Sequence, residues 1–118
     1  MNRAPAAAAR RLAGAAPVFA ALGDPGRLRI VARLCESGPL SIVRLTAGAN
    51  ISRQAITKHL HALSSAGLVR HARRGRETVW RLDTPGLAQA QQFLGQISTR
   101  WDEALDRLKT LVERDEAG

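Results

Sequence analysis

The chain has almost no means of cross-linking itself. A single cysteine, Cys35, stands among 118 residues, which excludes an intramolecular disulfide and makes a reducing, cytoplasmic setting the expected localisation. No apolar run approaches the ~20 residues that span a bilayer, so no membrane partner is expected. Carboxylate clusters, metal-ligand spacings, glycine-rich phosphate loops and convergent Ser/His/Asp or Cys/His sets are also missing. Those are the signatures an enzyme carries, so catalytic residues, metal ligands and cofactors are all expected to be none. The most telling absence is of negative charge. Between Glu36 and Glu77 there is no acidic residue, while Arg44, Arg53, Lys58, Arg70, Arg73, Arg74 and Arg76 all fall inside that window.

What is present is strongly basic and unevenly placed. The formal net charge is +8 and the sequence pI about 11.5, a balance that suits nucleic acid, an anionic membrane surface or an acidic protein. From Met1 to Arg81 there are fourteen Lys and Arg against three acids, a net of +11; from Leu82 to Gly118 there are four against seven, a net of −3. The polyanion therefore meets the first two-thirds of the chain. The opening "MNRAPAAAARRLAGAA" is rich in Arg and Ala and free of acids, a composition with some likeness to a transit peptide. It reads rather as a frayed basic arm able to touch phosphates.

Helix starts are legible because Asp24-Pro25, Ser41, Ser52 and Thr84-Pro85 each set a capping side chain before a periodic segment. A short helix opened by Pro17 ends over Val18 to Leu22. A second runs from about Pro25 to Glu36 with Leu28, Val31, Leu34 and Cys35 on one face, Cys35 read as a small core residue, and stops at Gly38-Pro39. A brief third covers Ile42 to about Ala47. The fourth starts at the Ser52 cap and ends at Gly67. At 100° per residue Ile56, Leu60 and Leu63 fall together, with Gln54, Lys58, His61 and Ser65 opposite and Arg53 and Thr57 to one side. Two short helices joined by "AGANIS", the second offering cationic and amide groups outward, form the pattern of a helix-turn-helix.

After Gly67 the period becomes that of a hairpin, Leu68 to Arg73 and Glu77 to Leu82 around "RRGRE", a wing whose tip is expected to present Arg73, Arg74 and Arg76 together. Trp80 on its second strand reads as a core aromatic and His71 on its first as solvent-facing or near phosphate. His59 sits at the edge of the packed helix face with no acid near it in sequence to tune it. From Thr84 to about Arg114 the sequence is helical, with Leu87, Ala90, Leu94, Ile97, Trp101, Ala104, Leu108 and Leu111 spaced alternately three and four apart. Phe93, Leu105 and Val112 broaden this heptad seam, and Glu103–Arg107 and Lys109–Glu113 make solvent-side pairs. The stripe is too long to hide on a winged core of some sixty-five residues, so part of it is expected to meet the first helix and the rest another subunit.

The order of these elements, with "ALGDPGRLRIVARL", "ISRQAITKHLHAL", "AGLV" and "RRGRETVWRL", resembles the ArsR/SmtB family of winged helix-turn-helix transcriptional repressors over about Val18 to Val112. The resemblance implies a homodimer built mainly from the first and last helices. It also implies binding of an inverted-repeat operator that blocks transcription until an inducer, unidentified here, releases it. "STRWDEALDRLKTLVE" is similar to the last helix of members without metal sites. Metal-sensing members carry a Cys-Xaa-Cys type pair in the third helix, or Asp and His ligands in the last. Here the third helix reads "SIVRLTAGAN" and the last has no His or Cys, so the family's metal response does not carry over.

The expected fold class is therefore mainly α with a small β-hairpin wing: a winged helix-turn-helix with a long C-terminal dimerisation helix. The divisions are a flexible basic arm over 1–16, the DNA-binding core over 17–83, the dimerisation helix over 84–114 and a tail over 115–118. Contact with double-stranded DNA is assigned to Ser52, Arg53, Gln54, Thr57, Lys58, His61, Arg73, Arg74 and Arg76, since Gln pairs with adenine, Lys with guanine or phosphate, and helix N-termini with phosphate oxygens. The homodimer interface is assigned to Leu87, Leu94, Ile97, Trp101, Leu105 and Leu108. An architectural protein that coats DNA without reading it fits the charge equally well; a ratio of specific to non-specific affinity of ~10³ or more marks a regulator.

Overall fold

Asp24 shows how the first helices are set. In the computed structural model, which describes Arg10 and residues 13–117 (backbone alone at Ala117), its carboxylate accepts from the backbone N–H groups of Gly26 (2.8 Å) and Arg27 (3.2 Å). It thereby starts α2 (Pro25–Ser37) after α1 (Ala16–Leu22) has ended at Gly23. Those donated bonds, the one from Arg27 first, hold the Asp24 carboxyl below the usual carboxylate range against the opposing pull of burial. Most of the arm expected over 1–16 lies outside the described residues; at its inner end Ala13 and Gly14 are helical and Ala15 is fully buried.

Ser41 caps α3 (Ile42–Thr46) through Arg44 N, and Ser52 caps α4 (Arg53–Ser65) through Ala55 N. The connection between them turns at Gly48, whose φ of 78° lies where side chains other than glycine are strained. Arg33 of α2 clasps the end of α3 from behind, donating to the carbonyls of Leu45 (2.8 Å), Arg44 (3.0 Å) and Ala47 (3.4 Å). A guanidinium at that position satisfies orphan carbonyls and opposes the negative end of the helix dipole.

The wing is β2 (Val69–Arg74) and β3 (Glu77–Leu82), antiparallel in the register Val69↔Leu82 to Arg74↔Glu77. Gly75 at φ 61° leads the two-residue loop, as a type II′ turn requires. A two-residue strand, β1 (Leu40–Ser41), pairs with Trp80 and Val79 on the far side of β3, giving the order β1-β3-β2. The sequence pattern carried no sign of this third strand, because two residues are too few to display a period.

One core joins these parts: Ile30 and Leu34 from α2, Leu45 from α3, Ile56, Leu60 and Leu63 from α4, then Leu68, Val69 and Trp80. Leu28 and Cys35, expected on the packed face of α2, are exposed. The inward line of that helix runs through Ile30 and Leu34, four apart, so positions 28 and 35 rotate towards solvent.

The last helix, α5 (Thr84–Ala117), is 34 residues long, or about 50 Å at 1.5 Å per residue. Its cap is Asp83 rather than Thr84: Asp83 Oδ1 accepts from Gly86 N (3.3 Å), and Oδ2 accepts from Arg70 Nε (2.9 Å). Only the first turns of α5 touch the winged core, with Ala90 buried and Leu87 packed on the central cluster. Beyond them Leu94, Ile97, Trp101, Leu105, Leu108, Leu111 and Val112 are exposed, Trp101 at 65%. The radius of gyration, 19.8 Å, exceeds the ~13–14 Å of a compact chain this long because α5 projects. Neither Glu103–Arg107 nor Lys109–Glu113 closes to a salt bridge; among the described residues Arg70–Asp83 is a salt bridge and His59 stands 3.9 Å from Asp24.

Candidate nucleic-acid interface

Sorting the cations by what already holds them separates scaffold from surface. Arg27 reaches back to the Ala20 and Ala21 carbonyls at 3.5 Å, Arg33 clasps α3, and Arg70 is tied to Asp83. Arg44, Arg53, Lys58, Arg73, Arg74, Arg76 and Arg81 make no ion pair among the described residues and are exposed. They lie on α3 and α4, the two helices of the helix-turn-helix, and on the wing.

Arg53, Gln54, Thr57 and Lys58 line one shallow hollow of about 410 Å³ on the outer face of α4. The core residues Ile56, Leu60 and Leu63 hold the opposite face, so the amphipathic period fixes which side chains point out. Thr57 Oγ1 donates to the Arg53 carbonyl (2.9 Å), which leaves the hydroxyl lone pairs free to accept. Ser52 Oγ is engaged by Ala55 N and keeps its own proton to give. His61 departs from this group. Although exposed, its ring meets buried Trp80 edge-on, 6.1 Å between centroids, while His71 packs on the same indole at 4.8 Å. His61 therefore braces α4 against the wing.

The three wing arginines do not share a face. Strand alternation puts Arg73 with His71 and Trp80, and Arg74 with Ala72 on the other side; Arg76 sits in the turn. Arg74 lines a hollow of about 230 Å³ together with Arg44 and Ser41. The two arginines thus line one concavity from α3 and from the wing, and Glu77 lines it with them. Arg44 was counted among the cations of the acid-free window but not assigned to DNA contact. Its signal was there, three residues after the Ser41 cap, but its nearness to Arg74 depends on β1 pairing with β3.

His59 also has a partner that lay too far along the chain to be read. Nε2 stands 3.9 Å from Asp24 Oδ1, and the absent side chain of Gly26 makes room, since a Cβ there would lie 2.9 Å from Nε2.

A helix-turn-helix domain profile matches residues 22–72. The chain is 35% identical over 95 residues to the HTH-type transcriptional regulator Rv2034 of Mycobacterium tuberculosis, spanning 80% of this chain and 85% of that protein. Its fold is similar to an ArsR-like transcriptional regulator from Rhodococcus sp. RHA1, with a TM-score of 0.72 and 37% identity over 84% of this chain and 92% of that one. A homodimeric winged helix-turn-helix DNA-binding domain, Mb0332 from Mycobacterium bovis, aligns with a TM-score of 0.59 and 25% identity over 87% and 89%.

Proposed function

Since the chain belongs to the ArsR-type winged helix-turn-helix regulators, DNA-binding proteins of transcription rather than enzymes, we propose that it is a repressor that grips an inverted-repeat operator as a homodimer. The observation that carries this reading is the hollow of Arg53, Gln54, Thr57 and Lys58 on a helix whose back is locked into the core. The sequence that carries it, from Glu36 to Glu77, has cations and no acid in between. Gln54, Thr57 and Lys58 read base edges in the major groove, while Ser52 and Arg53 hold phosphate at the helix start. Arg73, Arg74 and Arg76 hold phosphates or enter a narrow minor groove from the wing. His61 orients the reading helix through Trp80 and reaches the backbone with its outer edge.

The second copy follows from α5. Leu94, Ile97, Trp101, Leu105 and Leu108 stand clear of the chain's own core, and a homodimeric relative has the same fold. Leu87, already packed on its own core, marks the inner limit of the shared surface. Two reading helices held in a fixed relation suit half-sites about 34 Å apart.

Reader and holder separate under one experiment. Gln54→Ala is expected to change preference at one operator position by roughly 1–3 kcal/mol, whereas Arg74→Ala weakens binding to all sequences and flattens the slope of log K against log salt by ~0.9. Binding to an operator library at several salt concentrations measures both. If Arg74→Ala changes base preference and Gln54→Ala lowers affinity uniformly, the roles are reversed. Uniform binding by the parent protein instead points to the architectural role.

Metal is not expected to be the signal. Among the described residues no three His, Cys, Asp or Glu side chains gather, and tight sites need several such ligands at fixed geometry. Calorimetry with zinc should give no tight stoichiometric binding; such binding coupled to DNA release would overturn this expectation.

A further inference from the structure

Beneath the turn that joins α3 to α4 lies a cleft of about 690 Å³, within the ~300–1,000 Å³ typical of small-molecule pockets. Its floor is the buried aliphatic set Ile30, Leu45 and Ile56, and exposed Ile51 stands at its rim. The charged and titratable side chains that line it are Arg29, Arg33 and the His59–Asp24 pair. Arg33 is engaged by three carbonyls, and the Asp24 carboxylate by two backbone N–H groups and His59. Arg29 makes no hydrogen bond or ion pair among the described residues and is exposed to solvent along the cleft. Two guanidiniums against one committed carboxylate favour an incoming anion and disfavour a cation. The apolar floor favours a hydrocarbon body behind it.

We propose that this cleft binds a small organic acid, its carboxylate on Arg29 and its apolar body on Ile30, Leu45, Ile51 and Ile56, and that occupancy is relayed to α4. A planar guanidinium takes a carboxylate through two parallel hydrogen bonds, a geometry that an amide does not reproduce. The relay has a physical route. The Ala47–Ile51 turn, Ile56 and His59 all line the cleft, so a ligand there touches the connection into α4 and the back of the helix whose front is the outer hollow. A ligand shifts such an equilibrium only through contacts that differ between its two states. The turn and Arg33's grip on α3 are where those contacts would differ. The relay rests on the reading of α4 as the DNA-contacting helix; the binding does not.

The test uses the full chain, isotopically labelled, with hexanoate and benzoate as probes and hexanamide and benzamide as neutral counterparts at matched ionic strength. Saturable shifts of the Ile30, Ala49, Ile56 and His59 amides are expected. Binding should be at least about tenfold weaker for the amides and for acids added to Arg29→Glu, whose exposed position leaves the fold intact. Absence of saturable shifts up to about 10 mM acid overturns the site. So does equal binding of acid and amide that Arg29→Glu does not alter. In parallel, DNA anisotropy should show affinity changing at least about threefold on saturation with acid. Unchanged DNA affinity with the cleft filled overturns the relay alone. A protein that binds no DNA with or without acid overturns the regulator reading and the relay with it, while the shifts still decide the site.

Discussion

Leu94→Glu is expected to sediment as a monomer at micromolar concentration and to lose about 10²–10⁴ in affinity for a full operator, because engagement of the second half-site ceases to be intramolecular. Leu94 is 54% exposed in the single chain, so the substitution leaves the winged core undisturbed. In a shared seam the carboxylate would be desolvated without a partner, at a cost of several kcal/mol. That is comparable to the whole stability of a small assembly. Leu94→Met, similar in volume, should keep both the dimer and the affinity. A Leu94→Glu protein that still sediments as a dimer places the interface elsewhere than the α5 seam.

The second large effect is at a glycine. Gly86, in the first turn of α5, packs against the backbone of Gly67 at the end of α4: a Cβ at position 86 would fall inside the contact distance of the Gly67 carbonyl oxygen and 2.8 Å from its carbon. The obstacle is main chain, which cannot swing aside as a side chain does. Gly86→Ala is therefore expected to cost about 3 kcal/mol or more, and to lower the melting temperature by roughly 10–20 °C. Gly95, in the same helix, has nothing within 4 Å of the equivalent position, so Gly95→Ala should stabilise by about 0.5–1 kcal/mol through helix propensity. Calorimetric scans at one protein concentration compare the pair directly. A rise in melting temperature for both would mean that α5 does not approach α4 at this point.

Local chemistry was readable in the sequence and distant chemistry was not. The caps Asp24, Ser41 and Ser52 act within three residues of themselves, and each stands where its residue type placed it. The outer and inner faces of α4 follow from its period alone. Thr84 was displaced as a cap by Asp83, one residue earlier, because Asp83 is also fixed from the wing by Arg70, thirteen residues back. Cys35 and Leu28 fell outside the core because a helix of thirteen residues with a broad apolar arc leaves its facing angle to its neighbours. Arg73 and Arg74 face opposite sides because β2 continues one residue beyond the Arg73 at which the sequence pattern ended it, and the Arg44–Arg74 hollow is set by the pairing of β1 with β3. No pattern within either segment encodes that hollow.

The sheet order β1-β3-β2 leaves the outer side of β2 without a neighbouring strand among the described residues. Every second residue of β2 turns an unpaired N–H and C=O towards that side, a template onto which another extended chain can add. Here that border carries the unpaired Arg73 and Arg74, so two such edges approaching one another bring together like charges that must be desolvated. The arginines that suit a polyanion thus also guard against strand-to-strand aggregation. Replacing Arg73 and Arg74 with valine should raise light scattering at concentrations where lysine replacements leave it flat, and some of the DNA binding lost by the valine protein will then be protein lost from solution.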